Sequence, residues 1–355
     1  LVTSSPAVYV DDNFNSSTPG WKYDHFNNIQ DGINAVAENG TVYVFNGTYY
    51  ENVVVNKTIN LVGEDRNGTI IDNGGHNSSI EVIGSDITIA NFTLRDGVPP
   101  PLPPPTGIEI SESNNVTISN CTIMNNDYGI MITDSSDVSV FDCLFYNISA
   151  EGIGIHCSTD IMLTNNELIK CGLNIEGEDI TYYNSHTIDT SNTVNGKPIY
   201  YLKNMDNITI SNSTAGQVIL ANCSNIEVSN QNLSYATIGI KMAYTSDCII
   251  HDNIFNSNSE FGVFSYYSST NTITANNVNN NGVGILLEYS NNSNITTNIV
   301  GNNNDGIIFL WSSSSNIIYN NIVVNNGNGI DLYSSTNNLI YNNYFNNTNN
   351  AYDNG

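Results

Sequence analysis

Glycine, once replaced by asparagine, recurs along this chain at Gly107, Gly129, Gly152, Asn174, Gly196, Gly216, Gly239, Gly262, Gly284, Gly306 and Gly329, at intervals of 20 to 23 residues. Self-similarity at such a period marks a repeat protein, in which each unit buries its apolar face only by stacking on its neighbours. The residue after the glycine is usually β-branched, as at Ile108, Ile130, Ile153, Ile240, Ile285 and Ile330, and the pattern returns two residues later at Ile110, Ile132, Ile155, Ile199, Ile219, Met242 and Leu287. That alternation is the signature of a strand with one side turned inward.

A second strand signal follows in each unit, as in Val116 to Ile118, Ile249-Ile250 and Ile317-Ile318. Asparagine corners come next, at Asn165-Asn166, Asp252-Asn253, Asn276-Asn277, Asn320-Asn321 and Asn342-Asn343. Asparagine tolerates the left-handed backbone that a tight bend needs. About 22 residues accommodate three short strands and three bends but no helix of useful length. The expected fold is all-β, a right-handed parallel β-helix of about 13 coils, since parallel crossovers are right-handed in nearly all cases. A leucine-rich-repeat horseshoe needs a frame that these units lack, and a propeller needs units about twice as long.

Residues 26–37 place Phe26, Ile29, Ile33, Val36 and Ala37 on one helical stripe, which predicts a short amphipathic helix capping the first coil. The expected organisation is an N-terminal arm over 1–25, the capping helix and first coils over 26–98, a proline-rich insertion over 99–105, and regular coils over 106–355, all one structural domain. The proline run cannot join a ladder and reads as a protruding polyproline arm or as a tolerated loop. The last residues show no apolar stripe able to cap the final coil, so that edge is expected to meet another copy or further chain.

The net charge is −26, from 34 acidic and only 8 basic residues. Phosphate binding needs clustered Lys and Arg, so nucleic acid is excluded as a partner. No apolar run is long enough to span a membrane. Of 64 asparagines, 17 stand in N-x-S/T sequons. The preferred glycosylation candidates are Asn15, Asn46, Asn56, Asn67, Asn77, Asn91, Asn115, Asn147, Asn207, Asn232, Asn294 and Asn346. Coil-corner use of Asn and Thr explains most of them equally well. The sequons and the low charge content predict an exported, extracellular or cell-surface protein whose signal peptide has been removed.

The run Phe26-x-x-Ile29-Gln30, with Asn39 to Val44, Gly47 to Tyr49, Glu51 to Val53 and Ile59-x-Leu61-x-Gly63, resembles the opening of pectate-lyase-like β-helix proteins. The later coils resemble the carbohydrate-binding and sugar-hydrolase repeats of archaeal and bacterial surface and periplasmic proteins, among them the copper-site maturation proteins of nitrous oxide reductase. The resemblance implies the fold and leaves the activity open, because the superfamily includes lyases, esterases, epimerases, adhesins and envelope proteins. Its enzymatic patterns are missing: the only arginines are Arg66 and Arg95, and neither a Gly-His-Gly nor an Asp-Pro-His-Asp element occurs. His156-Cys157 is the only adjacent pair of copper-type ligands, so a copper role finds no support.

Counting from the glycines places further residues. Tyr201, Tyr244, Tyr267, Tyr289 and Trp311 each fall five residues after a glycine, giving an aromatic stripe that is an internal stack, a contact face or a sugar platform. Phe264, Leu286 and Ile308 should point outward beside it. Glu112, Asp134 and Asp179 fall in one row and form a weak structural calcium candidate, with a solvated acidic face as the alternative. Cys121 and Cys143 fall on adjacent rungs, as a candidate disulfide or as buried apolar side chains. Without a recognisable catalytic constellation, catalytic residues and cofactors are expected to be absent. The leading expectation is a non-enzymatic structural subunit of a surface layer, sheath or filament, assembling through copies of itself. The alternatives are a carbohydrate-binding adhesin using the stripe and a polysaccharide lyase, hydrolase or epimerase.

Overall fold

A computed structural model describes residues 5–75, 77–95, 105–212 and 215–354. Apart from Pro105, the expected proline arm lies outside the described residues. The fold is an all-β right-handed parallel solenoid of about 14 turns, one more than the repeat count suggests. Two short helices are present among the described residues. The chain divides into two compact units. One comprises Leu1–Ile169, Leu173–Glu178 and Ser185–Asn192; the other comprises Lys170–Gly172, Asp179–Asn184 and Thr193–Gly355.

In the first unit each turn contributes a strand to three parallel sheets. The first sheet runs from Ser5–Val10 through Val36–Val44 and Ile59–Gly63 to Met162–Thr164 and Thr187–Ile188. The second runs from Gly47–Tyr49 to Glu167–Ile169. The third stacks Val53–Val55, Ser78–Val82, Thr106–Ser111, Tyr128–Thr133, Ile153–His156 and Leu173–Glu176. Aliphatic residues such as Val42, Leu61, Ile89, Ile118 and Val140 turn inward and are fully buried. Each contributes about 1.5–3 kcal/mol relative to exposure.

The helix Ile29–Ala35 forms where the apolar stripe predicts it, shorter by a few residues at each end. Asn28 caps it, its Oδ1 accepting from Asp31 N at 2.7 Å. Glu51 adds a second cap: its two carboxylate oxygens accept from the backbone N–H groups of Ile29 and Gln30 at 2.8 and 3.0 Å. The strand Ser5–Val10, from the expected arm, pairs with Val36–Val44 in the first sheet.

The second unit repeats the plan, with a leading sheet from Lys197–Lys203 through Ile238–Ala243, Phe261–Tyr266, Val283–Glu288 and Asp305–Leu310 to Asn349–Asp353. Its core stacks Ile240, Val263, Ile285, Ile307 and Ile330. The asparagine corners are built as the sequence implies. Asp252, Asn320 and Asn342 take left-handed φ values of 54°, 56° and 55°, and the next residue turns into the corner. There Asn253, Asn276, Asn298, Asn321 and Asn343 form a ladder in which each Nδ2 donates to the following Oδ1 at 2.9–3.1 Å. A second ladder runs through Asn258, Asn281, Asn303, Asn326 and Asn347.

The glycine ladder is not one continuous row. Asn174 pairs with Gly154 in mid-strand, not at the ladder position. Gly196, at φ +74°, is the turn of an antiparallel hairpin in which Val194 pairs with Lys197. The ladder resumes at Gly239, whose neighbours Ile238 and Ile240 pair with Phe261 and Val263 around Gly262. Ile219, expected to point inward, pairs with Lys241 and so falls in the outward row. The first departure precedes the hairpin, because Leu173 pairs with Ile153 and so Gly172, not Asn174, is in register with Gly152.

Candidate functional site

The outer face of the third sheet in the first unit carries one row of in-register residues: Val54, Glu81, Glu109, Met131, Gly154 and Asn174. Outward positions on a solvated sheet are free of the packing that dictates the inward ones, so they are free to hold polar chemistry. Asn52, Asn77, Ser78, Glu81, Thr106 and Glu109 line a polar cavity of about 420 Å³ here. The Ser78 hydroxyl donates to Glu109 Oε2 at 2.7 Å, and Asn52 Nδ2 donates to Ser78 O at 2.9 Å. Glu81 and Glu109 stand on adjacent rungs, where parallel strands lie about 4.8 Å apart.

Further along the same face, Glu151 is buried, with only 4% of the residue exposed. His156 Nε2 lies 3.2 Å from its Oε2, and Asn174 Nδ2 donates to its Oε1 at 2.8 Å. Asn174 Nδ2 also donates to Glu176 Oε1 at 2.9 Å, and Glu176 pairs in register with His156. Gly154 makes this arrangement possible: a Cβ there would collide with Glu151 Oε2 and lie 2.6 Å from Met131 Sδ. A buried carboxylate against an imidazole holds the ring in one orientation.

The sequence-based candidates are placed differently. Glu112 and Asp134 occupy adjacent left-handed corners at φ 49°, and Cys157 follows at 47°. Asp179 belongs to the other unit, where its exposed carboxylate accepts from Thr181 N and Oγ1, both at 2.9 Å, and is thereby held below the usual carboxylate range. The expected calcium row is not in register: His156 pairs with Glu176, so Cys157 aligns two residues short of Asp179, because the residue in register with Gly152 is Gly172 and not Asn174. Among the described residues no group of three or more His, Cys, Asp and Glu side chains could hold a metal ion.

Tyr201 also leaves its expected row. It pairs with Ile219, and its hydroxyl donates to Tyr183 O at 2.5 Å. The stripe is thus four rings long. Tyr244 and Tyr267 stack at 5.4 Å, Tyr267 and Tyr289 at 4.5 Å, and Tyr289 and Trp311 at 5.9 Å. All four sit at left-handed corners, and Tyr267 and Trp311 are 45% and 50% exposed, so this is an external ridge and not an internal stack. Interior rings of the ridge have their faces covered by one another.

Phe264, Leu286 and Ile308 do occupy the outward row, yet only 4–9% of each is exposed. They therefore form no exposed apolar patch of their own beside the ridge. Lys241 continues this row and is buried, its ammonium 4.6 Å from the Phe264 ring centroid and 5.7 Å from that of Tyr183. Cys121 and Cys143 lie on adjacent rungs as expected, as buried free thiols in this structure, with Leu144 N donating to Cys121 O at 2.9 Å. All twelve preferred sequon asparagines are exposed or half-buried, and Asn77, Asn91, Asn115, Asn147 and Asn207 are left-handed corner residues.

Residues 171–355, just over half of the chain, match the family described as periplasmic copper-binding protein (NosD). The chain belongs to that family. Residues 59–215 also match a right-handed β-helix region. No curated protein sequence matches. Similar solved structures include the A-module of the mannuronan C-5 epimerase AlgE6 of Azotobacter vinelandii, 14% identical over 92% of this chain and 93% of that one, with a TM-score of 0.39. The surface adhesin PfbA of Streptococcus pneumoniae is 17% identical over 90% of this chain and 86% of its own, with a TM-score of 0.40. The catalytic domain of a GH87 α-1,3-glucanase is 12% identical over 96% of this chain and 66% of its own, with a TM-score of 0.42. These are likenesses of fold.

Two expectations are corrected. The family is a periplasmic one, not a surface-layer or sheath family, and the self-assembling structural subunit is withdrawn. The expectation of a non-enzymatic chain is withdrawn as well, because the third sheet gathers carboxylates around a polar cavity. Copper, which the family description implies, does not fit the donors seen: Cys171, Cys223 and Cys248 are core residues, and His251 is engaged by Asp252 at 2.7 Å and Glu227 at 3.1 Å. No chemistry is derived through that metal.

Proposed function

We propose that the chain is an exported carbohydrate-active protein, working in the periplasm or outside the cell, whose outer cleft in the first unit binds and hydrolyses a glycan. The observation that carries this reading is the in-register pair Glu81 and Glu109 at the floor of a polar cavity. Their backbones lie about 4.8 Å apart on adjacent rungs, which puts both carboxyl groups within reach of the roughly 5–5.5 Å separation of a retaining glycosidase pair. Glu109, whose carboxylate accepts from the Ser78 hydroxyl, attacks the anomeric carbon. Glu81 protonates the departing oxygen and then removes a proton from the water that releases the sugar. Asn52, Asn77 and Thr106 supply hydrogen bonds to sugar hydroxyls. A net charge of −26 and the glutamates of this face repel uronates, so the reading favours a neutral or amine-bearing glycan.

The test is reducing-end release from a panel of neutral polysaccharides, together with binding to the same panel. Glu109→Gln should abolish release, and Glu81→Gln should slow it by roughly 10²–10⁴-fold, with glycan still bound. Saturable binding without turnover would favour the adhesin alternative. Unchanged release by both variants would overturn the assignment.

A further inference from the structure

A second cavity of about 280 Å³ opens on the outer face of the first sheet, near the start of the first unit, lined by Tyr9, Tyr43, Phe45, Val62, Gly63 and Glu64 among others. Tyr9, Tyr43 and Val62 are in-register outward neighbours on three successive strands. Tyr9 and Tyr43 stack at 5.7 Å and 17°, and Tyr9 and Phe45 at 6.4 Å and 18°, so the three rings lie nearly parallel. Phe14 packs edge-on against Phe45 at 6.1 Å, and His25 sits 5.2 Å from Tyr9, which fixes the cluster from behind.

On the side of Tyr43 away from Tyr9, the next rung carries only Val62. The small side chain leaves that ring face uncovered, and Tyr43 is 44% exposed. Glu64 stands at the rim, its Oε2 held by Asn46 N at 3.0 Å. A uncovered aromatic face, a small apolar floor and a fixed carboxylate acceptor match a sugar ring, which has apolar C–H faces and hydroxyls around its edge. The cavity is large enough for one such ring and too small for several.

We propose that this slot is a separate carbohydrate-binding subsite that takes a single neutral pyranose ring on the face of Tyr43, with Glu64 accepting from its hydroxyls. It stands on its own residues and does not depend on hydrolysis at the cleft. The probe is a panel of methyl pyranosides at millimolar concentration, followed by saturation-transfer NMR on the full chain and on the Glu81→Gln variant. Saturable binding by both proteins is expected, weakened about tenfold or more by Tyr43→Ala and also by Glu64→Gln. Unchanged far-UV circular dichroism would show that the exposed Tyr43 was removed without unfolding. Failure of every pyranoside to bind, or equal affinity in Tyr43→Ala, would overturn the proposal. Binding kept in Tyr43→Ala but lost when the cleft's sugar contact is removed by Asn52→Ala would assign the sugar to the cleft instead.

Discussion

Glu151 is shared between His156, 3.2 Å from its Oε2, and Asn174, which donates to its Oε1 at 2.8 Å. Removing the carboxylate takes one partner from each of these two side chains. Glu151→Ala should lower unfolding free energy by about 1–3 kcal/mol, and Glu151→Gln by less, measured by urea titration. Gly154→Ala should disturb the same point from the other side, since its methyl would displace the Glu151 carboxylate and crowd Met131. Equal stability of Gly154→Ala and the parent would show that the carboxylate has room elsewhere.

Asn298 tests the asparagine ladder. Its Nδ2 donates to Ile273 O at 2.8 Å and Asn321 Oδ1 at 3.0 Å, while its Oδ1 accepts from Asn276 N and Nδ2, both at 3.0 Å. Asn298→Ala removes all four bonds and leaves buried groups unpaired, with an expected loss of about 2–4 kcal/mol. Asn298→Asp keeps the shape but cannot donate when ionised, so its loss should be at least as large at neutral pH and shrink as the pH falls. Thermal melts at two pH values check both.

Asp331 offers a stabilising change. Its Oδ1 is buried and meets no hydrogen-bond partner among the described residues. Burial, with Asp305 adding to it and Asn328 opposing, holds the carboxyl above its usual range. The folded state therefore binds the proton more tightly than the unfolded chain. That contribution is complete below the unfolded value near 3.9 and is lost as the pH rises through the higher folded value. Asp331→Asn should raise stability at pH 7 by on the order of 1 kcal/mol and match the parent under acid conditions. A lower Tm for the variant at pH 7 would contradict this account.

The ridge supports a more modest effect. Tyr267 stacks on Tyr244 and Tyr289, so Tyr267→Asn, which keeps a residue at ease in the left-handed corner, should cost about 1–3 kcal/mol for two lost stacks. Trp311, at the end of the stack, should cost less as Trp311→Asn. A stability loss equal at the two positions would mean that the stacks themselves contribute nothing.

Cys121 and Cys143 carry a chemical test. Burial pushes the Cys143 thiol up, and both side chains are enclosed. We propose that exported protein holds them as an axial disulfide. Intact mass after alkylation in denaturant, with and without reductant, should then differ by two added groups. Full alkylation of all six cysteines without reductant would remove the cross-link.

The repeat, the handedness, the capping helix and the corner asparagines were legible in the chain, because each is a local rule applied at every turn. Strand alternation decides which side chains go inward, and left-handed corners select Asn and Asp. The same arithmetic correctly aligned Tyr244 with Tyr267, Tyr289 and Trp311, and Cys121 with Cys143. It failed at Asn174 and Asp179, because the turn after Gly152 is two residues short and its in-register glycine is Gly172, and at Gly196 and Tyr201, where an antiparallel hairpin interrupts the series. Which glutamates share the outer face was not legible for another reason. Glu81, Glu109 and Glu151 are single acidic residues in different turns, and only stacking of the turns brings them onto one face, with Gly154 leaving space for the last. Inward packing is dictated by sequence period; what shares the outer surface is decided by three-dimensional register, which no period alone contains.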